Sequence, residues 1–411
     1  EWLDSQSQYP DRSGRAHSKL HRICAALKAA QRGTMDTNFE YGFVSADSHV
    51  TEPPDCYQRF IDPAYRDRAP FIRRDEKRGD LYVIPGQDNM TVPMGLVAAA
   101  GEESSQMTFN GRDFEDWHRS GWDPAYRLND QARDGVAAEL LFATVGMQLC
   151  GHEDLDYRRA CMAAYNRWLQ EYCSFAPDRL FGAGQAAVKN AADAVDELAE
   201  IKKQGFKGVM MSGEPGEADY DDPSYDRLWA AAVDMELPLC FHILTNRAYG
   251  GHRGPKINAL LNVVRSCQDI LGMLIYSGVF DRHPDLKVVC VESDAGWAPH
   301  YAYRMDHIYN RHRFWNKAPE LKKLPSEYFF ENIWLTFQDD WTAFQVKDHL
   351  NIERIMWAND FPHSDSTWPL SKELLTEHAA QLSPHERRRI LRDNCVELFG
   401  LDAPEQPAPL S

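Results

Sequence analysis

A chain of 411 residues with 43% hydrophobic and 11% aromatic content can bury a large core, and its 45 basic against 62 acidic residues leave a net charge of −17. That charge repels nucleic acid and anionic membrane surfaces. Nine scattered cysteines with no Cys-x-x-Cys pair argue against a disulfide framework or a cysteine zinc site, and no stretch reaches the roughly 18 apolar residues of a membrane span, so composition describes a soluble protein of a reducing cytoplasm.

Residues 1–36 read as an N-terminal extension. Arg12, Arg15, Lys19, Arg22, Lys28 and Arg32 stand there without an acid between 12 and 35, with Leu20, Ile23, Cys24 and Leu27 at helical spacing. The pattern faintly resembles a transit peptide, but an arm upstream of Met35 fits it better. From 37 to 402, apolar runs recur in the order strand, helix, strand, which argues parallel βαβ units. The first strand, 43–48, ends in Asp47 and His49. Residues i and i+2 of a strand share a side, so this carboxylate and imidazole can grip one cation.

Residues 52–130 are too many for a plain crossover and read as an insertion. Within it 81–86 and 90–94 flank a polar turn as a hairpin, and Trp117, His118 and Trp122 follow. Because it leaves from the end of the first strand, the insertion is expected to be a lid or pocket wall, with plain decoration of the barrel as the alternative. Further strands are expected at 138–145, 181–188, 206–212, 237–242, 286–292, 333–338 and 355–360. Amphipathic helices lie between them, such as 190–204 with Ala194, Leu198 and Ile201 on one face.

Three of these strands end in metal-capable side chains, His242, Glu292 and Asp360, and His363 follows Asp360 by three residues. Ligands delivered at strand C-termini are what a parallel (β/α)8 TIM barrel demands, because its site lies on that face. Ser383-Pro384-His385-Glu386 is a capping box with Pro at the first helical position. The helix it opens is expected to close at Gly400, and 403–411 reads as a flexible tail.

Taken in order, Asp47-Ser48-His49-Val50-x-Glu52-Pro53, His242, Val279 to Lys287, Ala295-Gly296-Trp297, Trp357 to His363 and Asn394-Cys395-x-x-Leu398-Phe399-Gly400-Leu401 resemble the amidohydrolase superfamily. More narrowly they resemble the amidohydrolase-related branch that contains the ACMSD-type decarboxylases. The resemblance implies a distorted (β/α)8 barrel with one or two divalent metals, in which Asp47 and His49 form the first-strand ligand pair, His242 the fifth-strand ligand, and Asp360 a ligand that also handles a proton. Two departures stand out. Gly208 to Ser212 offers no lysine at the fourth strand for a carboxylated-lysine bridge, and Glu292 stands where decarboxylases of this branch carry a catalytic His.

Two imidazoles and two carboxylates from Asp47, His49, His242 and Asp360 suit Zn, Mn or Fe(II). Glu292 can bridge two ions or ligate a second, and His363 either joins that second site or orients Asp360. On this reading Asp360, Glu292 and His363 are the catalytic groups. Hydrolysis of an ester, thioester, amide or lactone is the first expectation, with non-oxidative decarboxylation the alternative, and a dinuclear oxygenase or a non-catalytic subunit of a hetero-oligomer behind it. Six of the eleven tryptophans fall in the last third of the chain, which favours a small apolar or aromatic carboxylic substrate. Arg247, Arg253 and Arg304 are candidate carboxylate anchors, and His252 a candidate substrate contact. Self-assembly into a homo-oligomer is expected.

Overall fold

The computed structural model describes residues 39–87, 91–93, 95–246 and 254–408. The arm 1–36, the loop with Arg247, His252 and Arg253, and the last three residues lie outside them. The barrel lies within the unit Tyr41–Ser411.

Eight parallel strands form its sheet: β1 (Phe43–His49), then, after three strands of the insertion, β5 (Val136–Phe142), β6 (Leu180–Ala186), β7 (Gly208–Met211), β8 (Leu239–His242), β9 (Val288–Val291), β10 (Ile333–Phe337) and β11 (Ile355–Trp357), in that spatial order. Every residue of these strands is buried. That explains why they read as continuous apolar runs: helices cover the outer face of a parallel sheet and the barrel interior covers the other. The expected (β/α)8 barrel is therefore present, with each anticipated strand in place.

Regular pairing runs from β1 through β11 but stops there. Between β11 and β1 the seam is closed by two backbone bonds, Asp360 N–H to the Asp47 carbonyl at 3.1 Å and His49 N–H to the Phe361 carbonyl at 2.8 Å. A bulge precedes the site as well, because β1 advances from Ser45 to Ser48 while β5 advances only from Glu139 to Leu141. Such an extra residue re-aims the side chains that follow it.

The insertion carries the anticipated hairpin as β3 (Gly79–Val83) against β4 (Thr91–Pro93), and adds β2 (Phe71–Asp75) on the other edge of β3. It packs on the C-terminal face. Ala100 N–H bonds the Pro362 carbonyl at 3.0 Å, Ser364 N–H bonds the Leu96 carbonyl at 2.9 Å, and Ala100, Phe361 and Trp368 form one apolar cluster. The insertion thus walls the loop that carries Asp360.

At the other end, Ser383 caps its helix with Glu386 reciprocating, and Gly400 closes the last helix in the left-handed conformation at φ 58°. The segment read as a flexible tail is tied to the barrel through residue 408. Glu405 O accepts from Gly42 N–H at 2.7 Å, Arg392 Nη2 donates to Ala403 O at 2.9 Å, and Arg179 reaches the Ala408 carbonyl. Prolines remove donors, but neighbouring arginines supply them.

Candidate metal centre

Strand geometry delivers Asp47 and His49 from β1, His242 from β8, Glu292 one residue past β9, and Asp360 and His363 from the turn after β11. Their ligand atoms fall into two overlapping groups, Asp47 with His49, His242 and Glu292, and His49 with Glu292, Asp360 and His363; within each, all lie within 4.8 Å of one another. All six positions singled out from the sequence therefore converge. Asp47, His49, His242 and Asp360 are fully buried. Glu292 and Asp360 both hold left-handed backbone, φ 57° and 51°, a conformation costing a non-glycine residue on the order of 1–3 kcal/mol and found where a site over-determines it. The Thr336 hydroxyl supports one of them by accepting from Glu292 N–H at 2.8 Å.

Hydrogen bonding fixes the tautomers. His49 Nδ1 lies 3.0 Å from the Ala143 carbonyl and His242 Nδ1 2.9 Å from the Ile243 carbonyl. A carbonyl only accepts, so each ring carries its hydrogen on Nδ1 and turns Nε2 inward. The two Nε2 atoms stand 3.1 Å apart. On the other side the Thr144 hydroxyl donates to the Val50 carbonyl at 2.6 Å and so accepts from His363 Nε2 at 3.0 Å. His363 Nδ1 then faces Asp360 Oδ1 at 3.0 Å, with the His49 ring stacked 3.9 Å from its own.

At the 3.1 Å between the His49 and His242 Nε2 atoms no more than one of them can carry a hydrogen, and unpaired acceptors crowded in a dry pocket repel unless something positive stands between them. Both oxygens of Asp47, both of Asp360 and Oε2 of Glu292 are buried without a hydrogen-bond partner. Three carboxylates and three imidazoles that leave their lone pairs unanswered fit a divalent cation, and their oxygen and nitrogen donors suit Zn, Mn or Fe. The carbonyls behind Nδ1 of His49 and His242 are the orienting partners such ligands need.

The charges respond to this arrangement. Burial would raise the Asp47 carboxyl, yet His242 and His49 hold it below the usual range. Burial opposes charge on His242, but Asp47 and Glu292 hold its pKa up to about 9. Burial, helped by His363, brings His49 down to about 3, and burial brings His363 to about 3. Burial and Asp47 push the Asp360 carboxyl well up, and burial and Asp360 do the same to Glu292.

Other anticipated groups lie elsewhere. Arg304 is exposed on helix Ala298–Asn316. Among the tryptophans, Trp334 and Trp357 are core, while Trp315 and Trp341 are exposed. Trp297, whose Nε1 donates to the Ser293 carbonyl at 2.6 Å, and Trp368, against Phe361, adjoin the site loops. Thr144 was missed, although its place at the end of an expected strand was signal enough. Glu52 was quoted only as part of a motif; its carboxylate accepts from Val145 N–H and Gly146 N–H, each at 3.0 Å.

A family model described as amidohydrolase matches residues 46–401, a span that takes in all six converging residues. The chain belongs to the amidohydrolase family. Within it the chain falls in the branch of the ACMSD-type decarboxylases. A gamma-resorcylate decarboxylase from Rhodococcus jostii is 28% identical over 262 residues, covering 58% of this chain and 75% of the relative. Among solved structures, an amidohydrolase from Mycobacterium avium subsp. paratuberculosis shares the fold with a TM-score of 0.74 at 22% identity, covering 88% of this chain and 100% of that one. A 5-carboxyvanillate decarboxylase from Novosphingobium aromaticivorans, complexed with manganese and 4-hydroxy-3-methoxy-5-nitrobenzoic acid, does so at 0.62 and 19% identity, covering 89% and 97%. Among the described residues no helix is long and apolar enough to cross a membrane, and the eight described cysteines are free.

Proposed function

We propose that this chain is a metal-dependent, non-oxidative decarboxylase of a small hydroxylated aromatic acid. The observation that carries the reading is the similarity to a gamma-resorcylate decarboxylase across three quarters of that protein's length, and it displaces hydrolysis as the first expectation. Asp47, His49 and His242 on one side and Asp360 and His363 on the other would hold divalent metal, with His49 and Glu292 common to both donor groups. Such an ion supplies positive charge that orients substrate oxygens and offsets charge developing in the ring.

The reaction replaces a carboxylate by a proton. As the bond from the ring carbon to the carboxylate breaks, carbon dioxide leaves and the electron pair stays with the ring, where a proton must meet it. Asp360 is the group placed to carry that proton, because its carboxylate lies in the donor set and faces His363 Nδ1 at 3.0 Å. His363, with Nδ1 at 3.0 Å and Nε2 fixed by Thr144, orients Asp360 and relays its proton. The insertion packs against the loop on this side through Ala100, Phe361 and Trp368. Cytoplasmic location and self-assembly belong to the same proposal.

Hydrolysis is the second reading, and Glu292 favours it. That carboxylate belongs to both donor groups, so it can face two ions at once, an arrangement suited to activating water against an ester, thioester, amide or lactone. Anaerobic incubation with hydroxylated benzoic acids and with aromatic esters and thioesters, in labelled water, separates the two. Carbon dioxide release without solvent oxygen in the product is expected. Solvent oxygen in the product of an ester or thioester, with no carbon dioxide from any acid, would return the chain to the hydrolases; strict dependence on O2, or on an added partner chain, would exclude both.

A further inference from the structure

Behind the metal centre lies an arginine that the sequence did not single out. Arg127, on helix Pro124–Asp134, is fully buried. Its Nη1 donates to the His49 carbonyl at 2.7 Å and its Nη2 to the Phe361 carbonyl at 3.1 Å, while Nε donates to Glu139 Oε2 at 2.6 Å. The guanidinium carbon sits 4.8 Å from the centre of the Phe361 ring. Glu139, on β5, also accepts from Gln131 Nε2 at 2.7 Å and is within reach of the Ser48 hydroxyl at 3.3 Å.

Those two carbonyls belong to the two chain segments that meet at the seam. His49 ends the strand carrying Asp47, and Phe361 follows Asp360. The same Phe361 carbonyl also accepts from His49 N–H, so Arg127 reinforces a backbone bond that closes β11 on β1. A planar fork of donors can span two carbonyls and a carboxylate at once, which an ammonium cannot do with the same geometry. A buried charge so placed is tolerated only because Glu139 pairs with it.

We propose that Arg127 is a positioning residue: with Glu139 as its counter-ion, it fixes the spacing of Asp47 and His49 against Asp360 and His363, and thereby sets the affinity of the site for its metal. The proposal rests on the reading that these residues hold a divalent cation. Partners behind ligands typically alter metal affinity about 10–100-fold, and Arg127 holds the backbone of both ligand segments.

The test is manganese binding to the full chain, followed by electron paramagnetic resonance and calorimetry, with folding checked by circular dichroism. Arg127→Lys keeps the charge but not the fork, and Arg127→Met/Glu139→Gln removes both charges together. Each is expected to weaken manganese binding about 10–100-fold and to lower kcat more than it raises KM. Ser383→Ala, which loosens a distant helix cap, is expected to lower the melting temperature without changing manganese affinity, so loss of stability alone does not imitate the effect. If Arg127→Lys does not fold, Gln131→Met, which removes one donor from Glu139, should still weaken binding severalfold. A folded Arg127→Lys, or failing it a folded Gln131→Met, that binds manganese as the parent does overturns the proposal. A parent chain that binds no divalent metal would instead sink the functional reading, and this inference with it.

Discussion

The two halves of the proposed metal centre are built differently. His242 ends β8 and Glu292 follows β9 by one residue, at the end of a regular ladder in which β8 pairs with β9 from Leu239 to His242 and each strand has a further strand on its other side. There the backbone sets the spacing. Asp47, His49, Asp360 and His363 stand along a seam with two backbone bonds, and side chains make up the difference. Ser45 Oγ accepts from Asn359 N–H at 3.0 Å, Ser48 Oγ donates to Asn359 Oδ1 at 2.8 Å, and Arg127 and Thr144 complete the fastening. A barrel can place a ligand precisely by pairing or by buried polar contacts. The second route costs desolvation, and every partner must be satisfied.

The comparison can be broken first at the ligands themselves. His49 contributes to both donor groups and His242 to one. His49→Ala is therefore expected to lose metal altogether and to drop carbon dioxide release to background. His242→Ala should also lose activity, by at least the ~10²–10⁴ that acid–base positioning is worth, yet retain metal on His49, Glu292, Asp360 and His363. Elemental analysis of both proteins purified without chelator checks this. Equal metal loss in the two would show one indivisible site and end the distinction between ladder and seam.

A smaller effect sharpens the seam side. Thr144→Val preserves shape but leaves His363 Nε2–H without its acceptor and the Val50 carbonyl without its donor. A buried group left unpaired costs about 1–3 kcal/mol, and losing the partner that orients a ligand weakens metal binding about tenfold or more. Denaturant titration and manganese binding measure the two separately. A variant with unchanged manganese affinity would make Thr144 a core residue with no bearing on His363.

These fastenings also mark what could be read in advance. The convergence of Asp47, His49, His242, Glu292 and Asp360 was legible because strand ends are local: an apolar run stops and a metal-capable side chain follows. The barrel was legible for the same reason, since each buried strand is a run of its own. Arg127 and Glu139 were not, because one lies on a helix and the other mid-strand, and only the closed seam brings them to His49 and Phe361. The third strand of the insertion, β2, was hidden by its Ile72-Arg73-Arg74-Asp75 sequence, whose partly exposed face breaks the apolar alternation. Past Leu401 proline content speaks of missing donors and not of the arginines elsewhere in the chain that bond this segment as far as residue 408.

The mildest expected effect is a pH dependence confined to the seam. Asp134, the last residue of the helix that carries Arg127, accepts from Ser371 N–H at 3.0 Å, touches Ser371 Oγ at 2.5 Å, and meets Asn359 Nδ2 at 3.5 Å. Burial pushes its carboxyl up to about 7, against the lowering effect of Ser371. Its folded-state pKa thus lies above the unfolded value of about 3.9, so the folded chain holds this proton more tightly. The stability it contributes is complete below the unfolded pKa and is lost as pH rises through about 7. Asp134→Asn keeps the neutral shape and removes the titration. Denaturation midpoints of parent and variant, compared from roughly pH 5 to 8, should therefore diverge, the parent losing stability relative to Asp134→Asn as pH increases. Parallel curves would mean that Asp134 stays ionised in the fold, and that the seam is held by charge there as it is at Arg127.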